Sequence, residues 1–472
     1  MRSMTLATLF AALSGFVILP IAGRALGAEN VDGFQAFWAL FFALGGVANG
    51  LMQETTRAVR SATTVTGATG AAGAAGAAGA TDRGIAQSAN GATAIHEIAV
   101  GPESGLAAGR AIAAPSSTPT YPLARTYPLP RTRNLLWSGL AVGLALATLV
   151  ALSGPAWHSL GLDPHGGAAV AILAAGICSF SLQAAVAGAL SGTQRWNIYA
   201  VLLTIDAGLR LLAALAAWAL GVPHLAFEIT TVVGALTWIG MVAALPAVRE
   251  ALRSPIDVGP GKFWTSTIQA MAAGAGTSVM VTGFPLLVTA TAGAGDDRVL
   301  MGATINAILL TRAPLLVPLT SFQSAIIVWF VERREQGLRA LGIPFSAVIG
   351  VGVVGAAAAW IVADPIVRLI YGDEFGLPGA VFAGLTAASV GTAALMISGN
   401  AALAFERHAV FNIGWWVAVA ASVGLLLVLP LELDTRATLA LLAGPIVGAV
   451  VHCLGIAAGA RTARREAAAG AH

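Results

Sequence analysis

Three charged residues of this sequence lie inside long apolar stretches, where a charge is costly. Arg312 lies in a stretch that begins near Val299, and Asp206 and Arg210 lie in a stretch that begins near Tyr199. At 1.5 Å per helical residue, Arg210 is ~17 Å and Arg312 ~20 Å along its helix, near the centre of a bilayer. An ionisable group at that depth costs about 2.5–3.5 kcal/mol, so such residues are candidates for function.

The two arginines differ in their local partners. Asp206 precedes Arg210 by four residues on the same helical face, so an ion pair that only neutralises both charges remains one interpretation. Arg312 has no acidic residue within one helical turn. Its partner must therefore come from another helix, a water-filled cavity or a ligand, which makes Arg312 the strongest candidate for a functional charge.

Other polar residues are weaker candidates. Gln53, Glu54 and Arg57 cluster at the end of the second apolar stretch, where an arginine can extend its charge to the membrane surface at little cost. Isolated polar side chains in other stretches either line a pathway or hydrogen-bond between helices. These side chains are Gln183, Asn306, Gln323 and Asn400.

The sequence contains no pattern for metal, ATP or acid–base chemistry. Cys178 and Cys453 lie in apolar runs and are expected to be free thiols, and the seven His have no ligand spacing. A Gly-x4-Gly-Lys-Ser/Thr motif for ATP hydrolysis is missing. Asp373 and Glu374 are adjacent, and neighbours in sequence rarely form a general acid–base pair. We therefore expect no metal, no cofactor and no catalytic residues.

The elements that must position these residues are membrane-spanning helices. Hydrophobic residues make up 57% of the 472 positions and charged residues 10%, and the mean hydropathy is +0.81. Soluble domains carry about 25% charged residues. The net charge of +3 is too small to indicate nucleic-acid binding. We predict an all-α polytopic membrane protein with about twelve helices. They lie near 4–23, 34–55, 134–153, 168–191, 198–220, 226–248, 265–290, 299–329, 340–363, 378–400, 409–430 and 438–460.

The distribution of basic residues predicts the orientation. With the N-terminus inside, twelve Arg and Lys at helix ends and short loops fall in the cytoplasm, and four fall outside. This bias places both termini in the cytoplasm. We expect the protein in the inner (plasma) membrane.

Pro285, Pro314 and Pro318 interrupt the seventh and eighth helices and permit kinks.

Residues 56–133 differ in composition from the rest of the chain. They contain a run of Gly, Ala and Thr followed by Ser- and Pro-rich sequence, which cannot bury a core, so we predict a disordered cytoplasmic insertion.

The remaining helices divide into two six-helix lobes, a layout common in secondary transporters. The predicted units are 1–55 and 134–250 for the first lobe, 251–264 for a linker, 265–460 for the second lobe and 461–472 for a cytoplasmic tail.

Several motifs resemble those of the polysaccharide (oligosaccharide-lipid) flippases of the MOP superfamily, the Wzx-type family. Residues 21–29 with Gly33-Phe34 resemble that family's first external turn, and residues 188–200 resemble its Gly-x-Leu-x-Gly-x-x-Arg-aromatic-x-x-Tyr-Ala segment. Asp206 to Arg210 follows as Asp-x-x-x-Arg, and residues 369–375 are similar to its aromatic-Gly-x-x-Phe turn. The resemblance covers most of the chain outside 60–133.

The resemblance implies two lobes that face each other across a cationic central cavity. Such proteins pass a polyprenyl-diphosphate-linked oligosaccharide from the inner to the outer leaflet by alternating access. It implies anion contacts at Arg24, Arg57, Arg210 and Arg312, and leaves Na⁺ or H⁺ open as the coupling ion. The implied partners are the lipid-linked glycan, membrane lipids and the polysaccharide polymerase or glycosyltransferase machinery, around a monomer.

Three other functions remain open. A multidrug or small-molecule exporter of the same superfamily should carry unpaired acidic residues in its helices, whereas the deep charge without a local partner here is Arg312. A membrane glycosyltransferase or polymerase should carry a pair of carboxylates on one face, and the sequence shows none. A non-transporting assembly scaffold is indicated only by the insertion.

Overall fold

A computed structural model describes residues 2–27, 31–82, 134–159, 167–222, 224–293, 295–321 and 323–469. Over these ranges the regular structure consists of sixteen α-helices and three short 3₁₀ segments. The α-helices are α1 Arg2–Leu26, α2 Val31–Asp82, α3 Leu135–Ser159, α4 Ala168–Gly192, α5 Trp196–Leu220, α6 His224–Val233, α7 Thr237–Ala244, α8 Pro246–Leu252, α9 Pro260–Val281, α10 Phe284–Thr291, α11 Arg298–Ser321, α12 Gln323–Glu332, α13 Gly342–Tyr371, α14 Gly379–Ala404, α15 His408–Val428 and α16 Leu433–Ala469. The 3₁₀ segments are Gly234–Leu236, Arg334–Leu341 and Asp373–Phe375.

The helices confirm the predicted all-α membrane fold. Within the described ranges, eleven helices are long and apolar enough to cross a membrane, and a twelfth span results if α9 and α10, bent by 68° at their junction, are counted together. Helices suit this environment because a helix satisfies its own backbone hydrogen bonds where no water is available. Successive spans run in opposite directions. We call the end of the bundle where α1 begins the termini face, and the end with the α1–α2 turn the opposite face.

Several helix ends differ from the sequence prediction. Helix α2 continues to Asp82 instead of ending near Thr55, so the first part of the predicted insertion is helical. Residues 83–133 lie outside the described residues, and disorder there stays a prediction. Helix α11 runs through Pro314 and Pro318 to Ser321, so these prolines do not interrupt it. The break in the preceding span does fall beside Pro285, as predicted.

The spans form two lobes, α1 to α7 and α9 to α16, joined through α8. One buried cluster fills the first lobe from Ala58, near the termini face, to Trp157, near the end of α3, and includes Phe263, at the start of α9. The other fills the second lobe and extends to the opposite-face ends of α1, α2, α5 and α6, including Phe34 and Phe227. The lobes therefore share apolar packing mainly toward the opposite face and along α2 and α9.

The two lobes repeat one another at a tight turn. After α4, Gln194 has a left-handed φ of 59°, and after α14, Glu406 has φ 61°. The arginine that follows each one donates its N–H to a carbonyl five residues back, from Arg195 to Leu190 and from Arg407 to Ala402, both at 2.8 Å. Because non-glycine residues adopt this conformation rarely, the shared geometry supports a six-plus-six internal repeat.

Glycines let α2 and α9 approach until their backbones touch. A Cβ at Gly50 would lie 2.6 Å from the Cα of Met271 and 2.7 Å from the carbonyl carbon of Ala270. A Cβ at Gly274 would lie 2.9 Å from the carbonyl oxygen of Gly46. Small residues at helix crossings serve this purpose in membranes, where packing contacts drive association.

We predict that Gly50→Ala separates α2 from α9 and destabilises the protein by about 1–3 kcal/mol, because backbone atoms cannot move aside as side chains do. The measurement is the midpoint of thermal unfolding in detergent. Gly240→Ala on α7 is the matched control, since a Cβ there meets nothing within 4 Å. Equal midpoints for the two variants would contradict the close packing.

Candidate functional site

Arg312 lies buried in the middle of α11. Its residue is 3% exposed, and its guanidinium lies 5.9 Å from the ring centroid of Phe284. One terminal nitrogen donates a hydrogen bond of 2.9 Å to the carbonyl oxygen of Met280. The cation therefore rests against the break between α9 and α10.

The break supplies the carbonyl that Arg312 binds. In a continuous helix the oxygen of Met280 would accept from the N–H of Phe284, and that of Val281 from residue 285. Residue 285 is a proline and has no N–H to donate. The amides of Thr282 and Gly283 instead both donate to the carbonyl of Ser278, at 2.9 Å. This arrangement ends α9 and leaves the carbonyl of Met280 available to the guanidinium.

Most of the hydrogen-bonding capacity of Arg312 is unused. Its Nε and its other terminal nitrogen are buried and have no acceptor in the described part of the chain. An arginine keeps its charge at neutral pH, and a buried donor without an acceptor costs about 1–3 kcal/mol. Among the described contacts of Arg312 there is also no carboxylate. The site is therefore chemically suited to an anion.

Arg210 is buried in the first lobe but has a partner of opposite charge. Its guanidinium forms a salt bridge of 2.8 Å with Asp206 and also donates to the carbonyl oxygen of Thr231, one turn before the 3₁₀ segment Gly234–Leu236. The rings of Phe41 and Phe42 lie 5.1 and 5.2 Å from it. The interpretation as a neutralising ion pair thus has direct geometric support.

Glu228, on α6, is a buried acid that the sequence analysis did not single out. It is 1% exposed and lies three residues before Thr231, whose carbonyl Arg210 binds. The sequence alone could have identified Glu228 as a candidate, because it is an ionisable residue inside an apolar helix. It was missed because it lies close to the start of its helix, where a charge is usually attributed to the membrane surface.

Arg57 is held by two carboxylates at the termini face. It bonds Glu54 at 2.7 Å and Asp257, in the segment between the lobes, at 3.2 Å. Glu54 is buried, whereas Gln53 is exposed. This cluster fixes the inter-lobe segment against α2.

A second group joins the lobes at the opposite face. Asp32 on α2 bonds Arg298 on α11 at 3.1 Å, and one turn deeper Gln35 donates to Asn306 at 2.7 Å, with both amides buried. Arg24 donates to the carbonyl oxygens of Leu369 and Ile370 at the end of α13. These contacts close the opposite face between the lobes, and we call the Asp32–Arg298 and Gln35–Asn306 pairs the opposite-face seam.

A neighbouring ion pair stabilises the opposite-face loops of the second lobe. Asp296 accepts from the N–H of Gly293 at 2.7 Å and from Arg436 at 2.6 Å. Burial alone would raise the pKa of Asp296, but these hydrogen bonds and the charge of Arg436 hold that pKa below its usual value. The pair ties the α10–α11 loop to the start of α16.

The remaining predicted residues are dispersed. Gln183 is buried inside the first lobe on α4, and Asn400 accepts from Gln323 at 3.1 Å inside the second lobe. The four arginines with implied anion contacts occupy four different places: Arg24 at the opposite face, Arg57 at the termini face, Arg210 inside the first lobe and Arg312 inside the second lobe. Their role in binding a common anion stays a prediction.

Three solved structures of membrane transporters share the fold of this chain. An inward-facing multidrug resistance MATE family transporter of the MOP superfamily aligns over 98% of this chain and 99% of its own, with a TM-score of 0.63 and 14% identity. The Vibrio cholerae MATE transporter VcmN aligns over 97% and 96%, with a TM-score of 0.59 and 15% identity. A MOP superfamily transporter from Pyrococcus furiosus, described as having a binding pocket of reverse polarity, aligns over 96% and 93%, with a TM-score of 0.54 and 15% identity. The chain has the two-lobe fold of MOP-superfamily membrane transporters.

Relatives by sequence are mycobacterial. The uncharacterized protein Rv3630 of Mycobacterium tuberculosis is 34% identical over 446 residues, 94% of this chain and 89% of the relative. Uncharacterized protein Mb3654 of Mycobacterium bovis is 34% identical over 451 residues, 96% and 90% of the two chains. Uncharacterized protein Rv1510 of M. tuberculosis is 37% identical over 327 residues, 69% and 75%. The chain belongs to the family of these mycobacterial proteins. No protein-family model matches it.

We predict that Asp206→Asn destabilises the protein by about 3–5 kcal/mol, because it leaves the buried guanidinium of Arg210 without its counter-charge. Thermal unfolding in detergent is the measurement. The double variant Asp206→Asn with Arg210→Gln should recover most of the loss, since neither side chain is then charged. If the double variant is as unstable as the single one, the ion pair is not the source of the effect.

We also predict that locking the opposite-face seam stops function reversibly. Gln35→Cys and Asn306→Cys are introduced together in a background without Cys178 and Cys453. A short, reducible bifunctional thiol reagent joins the two new cysteines, and the cross-link is later reduced. Complementation of a deletion strain is the measurement, and activity should disappear and then return. Gln323→Cys with Asn400→Cys is the matched control, because that pair lies within one lobe. Full activity while the seam is joined would exclude its opening during transport.

Proposed function

We propose that the chain moves a polyprenyl-diphosphate-linked oligosaccharide, a precursor of cell-surface polysaccharide, from the inner to the outer leaflet of the plasma membrane. One observation carries this proposal. Arg312 is a buried cation in a transporter fold, with two unused nitrogen donors and no carboxylate among its described contacts.

The charge of Arg312 suits an anionic cargo. A diphosphate cannot cross hydrocarbon alone, because moving a charge out of water costs many kcal/mol unless it is paired. A guanidinium presents its donors in a planar fork that matches phosphate oxygens and binds two at once. Arg210 contributes less, since Asp206 already neutralises it at 2.8 Å. The net positive charge within the described spans therefore centres on the second lobe.

The contacts between the lobes support alternating access. At the opposite face the seam is made of one salt bridge and one amide hydrogen bond, which can exchange for water when the lobes separate. The apolar contacts that the lobes share there, around Phe34 and Phe227, would separate with the seam. The glycine contact between α2 and α9 can act as the pivot, because small residues allow helices to slide with little steric resistance. If the seam opens while the termini face closes, the second lobe, which contains Arg312, becomes accessible from the other leaflet.

An exporter of cationic small molecules is the second candidate function, favoured by Glu228. This carboxylate is buried on α6 of the first lobe, where a cationic drug would need a counter-charge. Two structural neighbours are described as multidrug resistance MATE family transporters. We favour the anionic cargo because Arg312 has no carboxylate among its described contacts and two of its nitrogens have no acceptor there.

The remaining parts of the proposal follow from the anionic cargo. We propose that both termini lie in the cytoplasm, so that the termini face receives the lipid-linked glycan where it is synthesised. The glycosyltransferase machinery would act before the protein and the polysaccharide polymerase after it. We propose a monomer, without a cofactor, driven by Na⁺, H⁺ or the membrane potential.

We predict that Arg312→Gln folds but loses transport, because glutamine keeps a polar amide in the helix and carries no charge. Arg312→Lys should also be inactive if the planar fork is required. The measurement is mass spectrometry of polyprenyl-linked glycans in a deletion strain carrying each variant, with leaflet position tested by an impermeant oxidant. Arg253→Gln, an exposed arginine between the lobes, is the control.

The outcomes separate the two candidate functions. A complete lipid-linked oligosaccharide trapped on the inner leaflet in the deletion strain and in Arg312→Gln, and released by wild type and Arg253→Gln, supports the flippase. Normal glycan lipids on both leaflets in the deletion strain overturn it. Drug sensitivity that appears on deletion and in Glu228→Gln would then favour the exporter.

A further inference from the structure

An apolar groove lies on the outer surface of the second lobe. Its volume is about 270 Å³, and it is enclosed by α14, α16, the start of α13 and the 3₁₀ segment Arg334–Leu341. None of its lining side chains is charged. They are Leu338, Phe345, Ala394, Ile446, Ala449, Val450, Cys453, Leu454 and Ala457.

The groove has the depth of one membrane leaflet. On α16 its lining runs from Ile446 to Ala457, a rise of ~16 Å at 1.5 Å per residue. The apolar part of α16 ends at Gly459, so Ala457 lies near the membrane surface and Ile446 near the middle. Half of a ~30 Å hydrocarbon core is ~15 Å, so one lipid chain of the termini-face leaflet fills the groove along its length.

Two arginines lie close in sequence to groove residues at its termini-face end. Arg461 lies one turn beyond Ala457 on the same face of α16, and Arg339 directly follows Leu338. Both are exposed, and in the described part of the chain neither is bonded to a carboxylate. Of the nearby acids, Glu332 and Glu406 bond Arg333 and Arg334, and Glu335 lies on the 3₁₀ segment. Two cations are thus available at headgroup level above an apolar slot.

We propose that this groove binds one acyl chain of an anionic phospholipid, with the lipid phosphate between Arg339 and Arg461. Basic pockets between membrane helices bind anionic headgroups in this way, and each arginine near the surface contributes about 1 kcal/mol. The occupant is a bulk phospholipid and not the transported cargo. Only elements of the second lobe form the groove, whereas the opposite-face seam lies between α2 and α11.

The two native cysteines provide a matched reporter and control. Cys453 lines the groove, and Cys178 lies on α4 of the first lobe, and both are half-buried. In neutral detergent, N-phenylmaleimide should modify both thiols, with each site read by peptide mass spectrometry. Added phosphatidylglycerol should slow modification of Cys453 several-fold and leave Cys178 unchanged. Phosphatidylcholine with the same chains should protect Cys453 much less.

Substitution of the arginines tests the headgroup contact. Arg339→Gln and Arg461→Gln should each raise the phosphatidylglycerol concentration for half-protection about fivefold, and Arg253→Gln should leave it unchanged. Native mass spectrometry gives a second reading that does not depend on thiol reactivity, with phosphatidylglycerol adducts retained by wild type and lost from the double variant.

Three results would overturn the proposal. The first is equal protection by the two phospholipids, and the second is adducts that persist in the double variant. The third is protection by a polyprenyl phosphate but not by phosphatidylglycerol, which would assign the groove to cargo. Because no reading requires transport, a failure here leaves the proposed function intact, and a failure of transport leaves the lipid site intact.

Discussion

The structure depends on one constraint: inside the hydrocarbon, every backbone N–H and C=O must find its partner within the protein. Continuous helices meet it automatically, but within the described residues α9 and α10 are separated by a bend of 68°. At that break the carbonyl of Met280 is bound by Arg312. In the first lobe Arg210 binds the carbonyl of Thr231, one turn before the 3₁₀ segment Gly234–Leu236. Each lobe therefore contains a buried arginine that binds a backbone carbonyl.

The two arginines solve the same problem with different electrostatic results. Asp206 makes the first site neutral, so Arg210 can act as a structural group alone. Arg312 contacts one carbonyl oxygen and one aromatic ring, and its Nε and one terminal nitrogen have no acceptor among the described residues. This asymmetry between two lobes of similar layout is the basis for assigning the cargo site to the second lobe.

The contacts between the lobes are also unequal. Apolar packing and the polar seam close the opposite face, while α2 and α9 touch through glycines farther toward the termini face. Polar pairs can exchange for water or ligand when the lobes move, whereas the cores within each lobe cannot be disrupted at similar cost. The arrangement matches a protein whose lobes move as units.

The sequence alone determined the membrane class, the approximate positions of the apolar helices and the mid-helix positions of Arg210 and Arg312, because hydropathy and helical rise are local properties. It also located the break beside Pro285. It did not determine that α2 continues to Asp82 or that Pro314 and Pro318 leave α11 intact.

Only the tertiary structure decided which charges are paired. Arg57 meets Asp257, 200 residues away, Arg24 binds the end of α13, and Arg312 is left without a carboxylate among the described residues. Such pairings depend on how distant helices pack, which local periodicity does not encode.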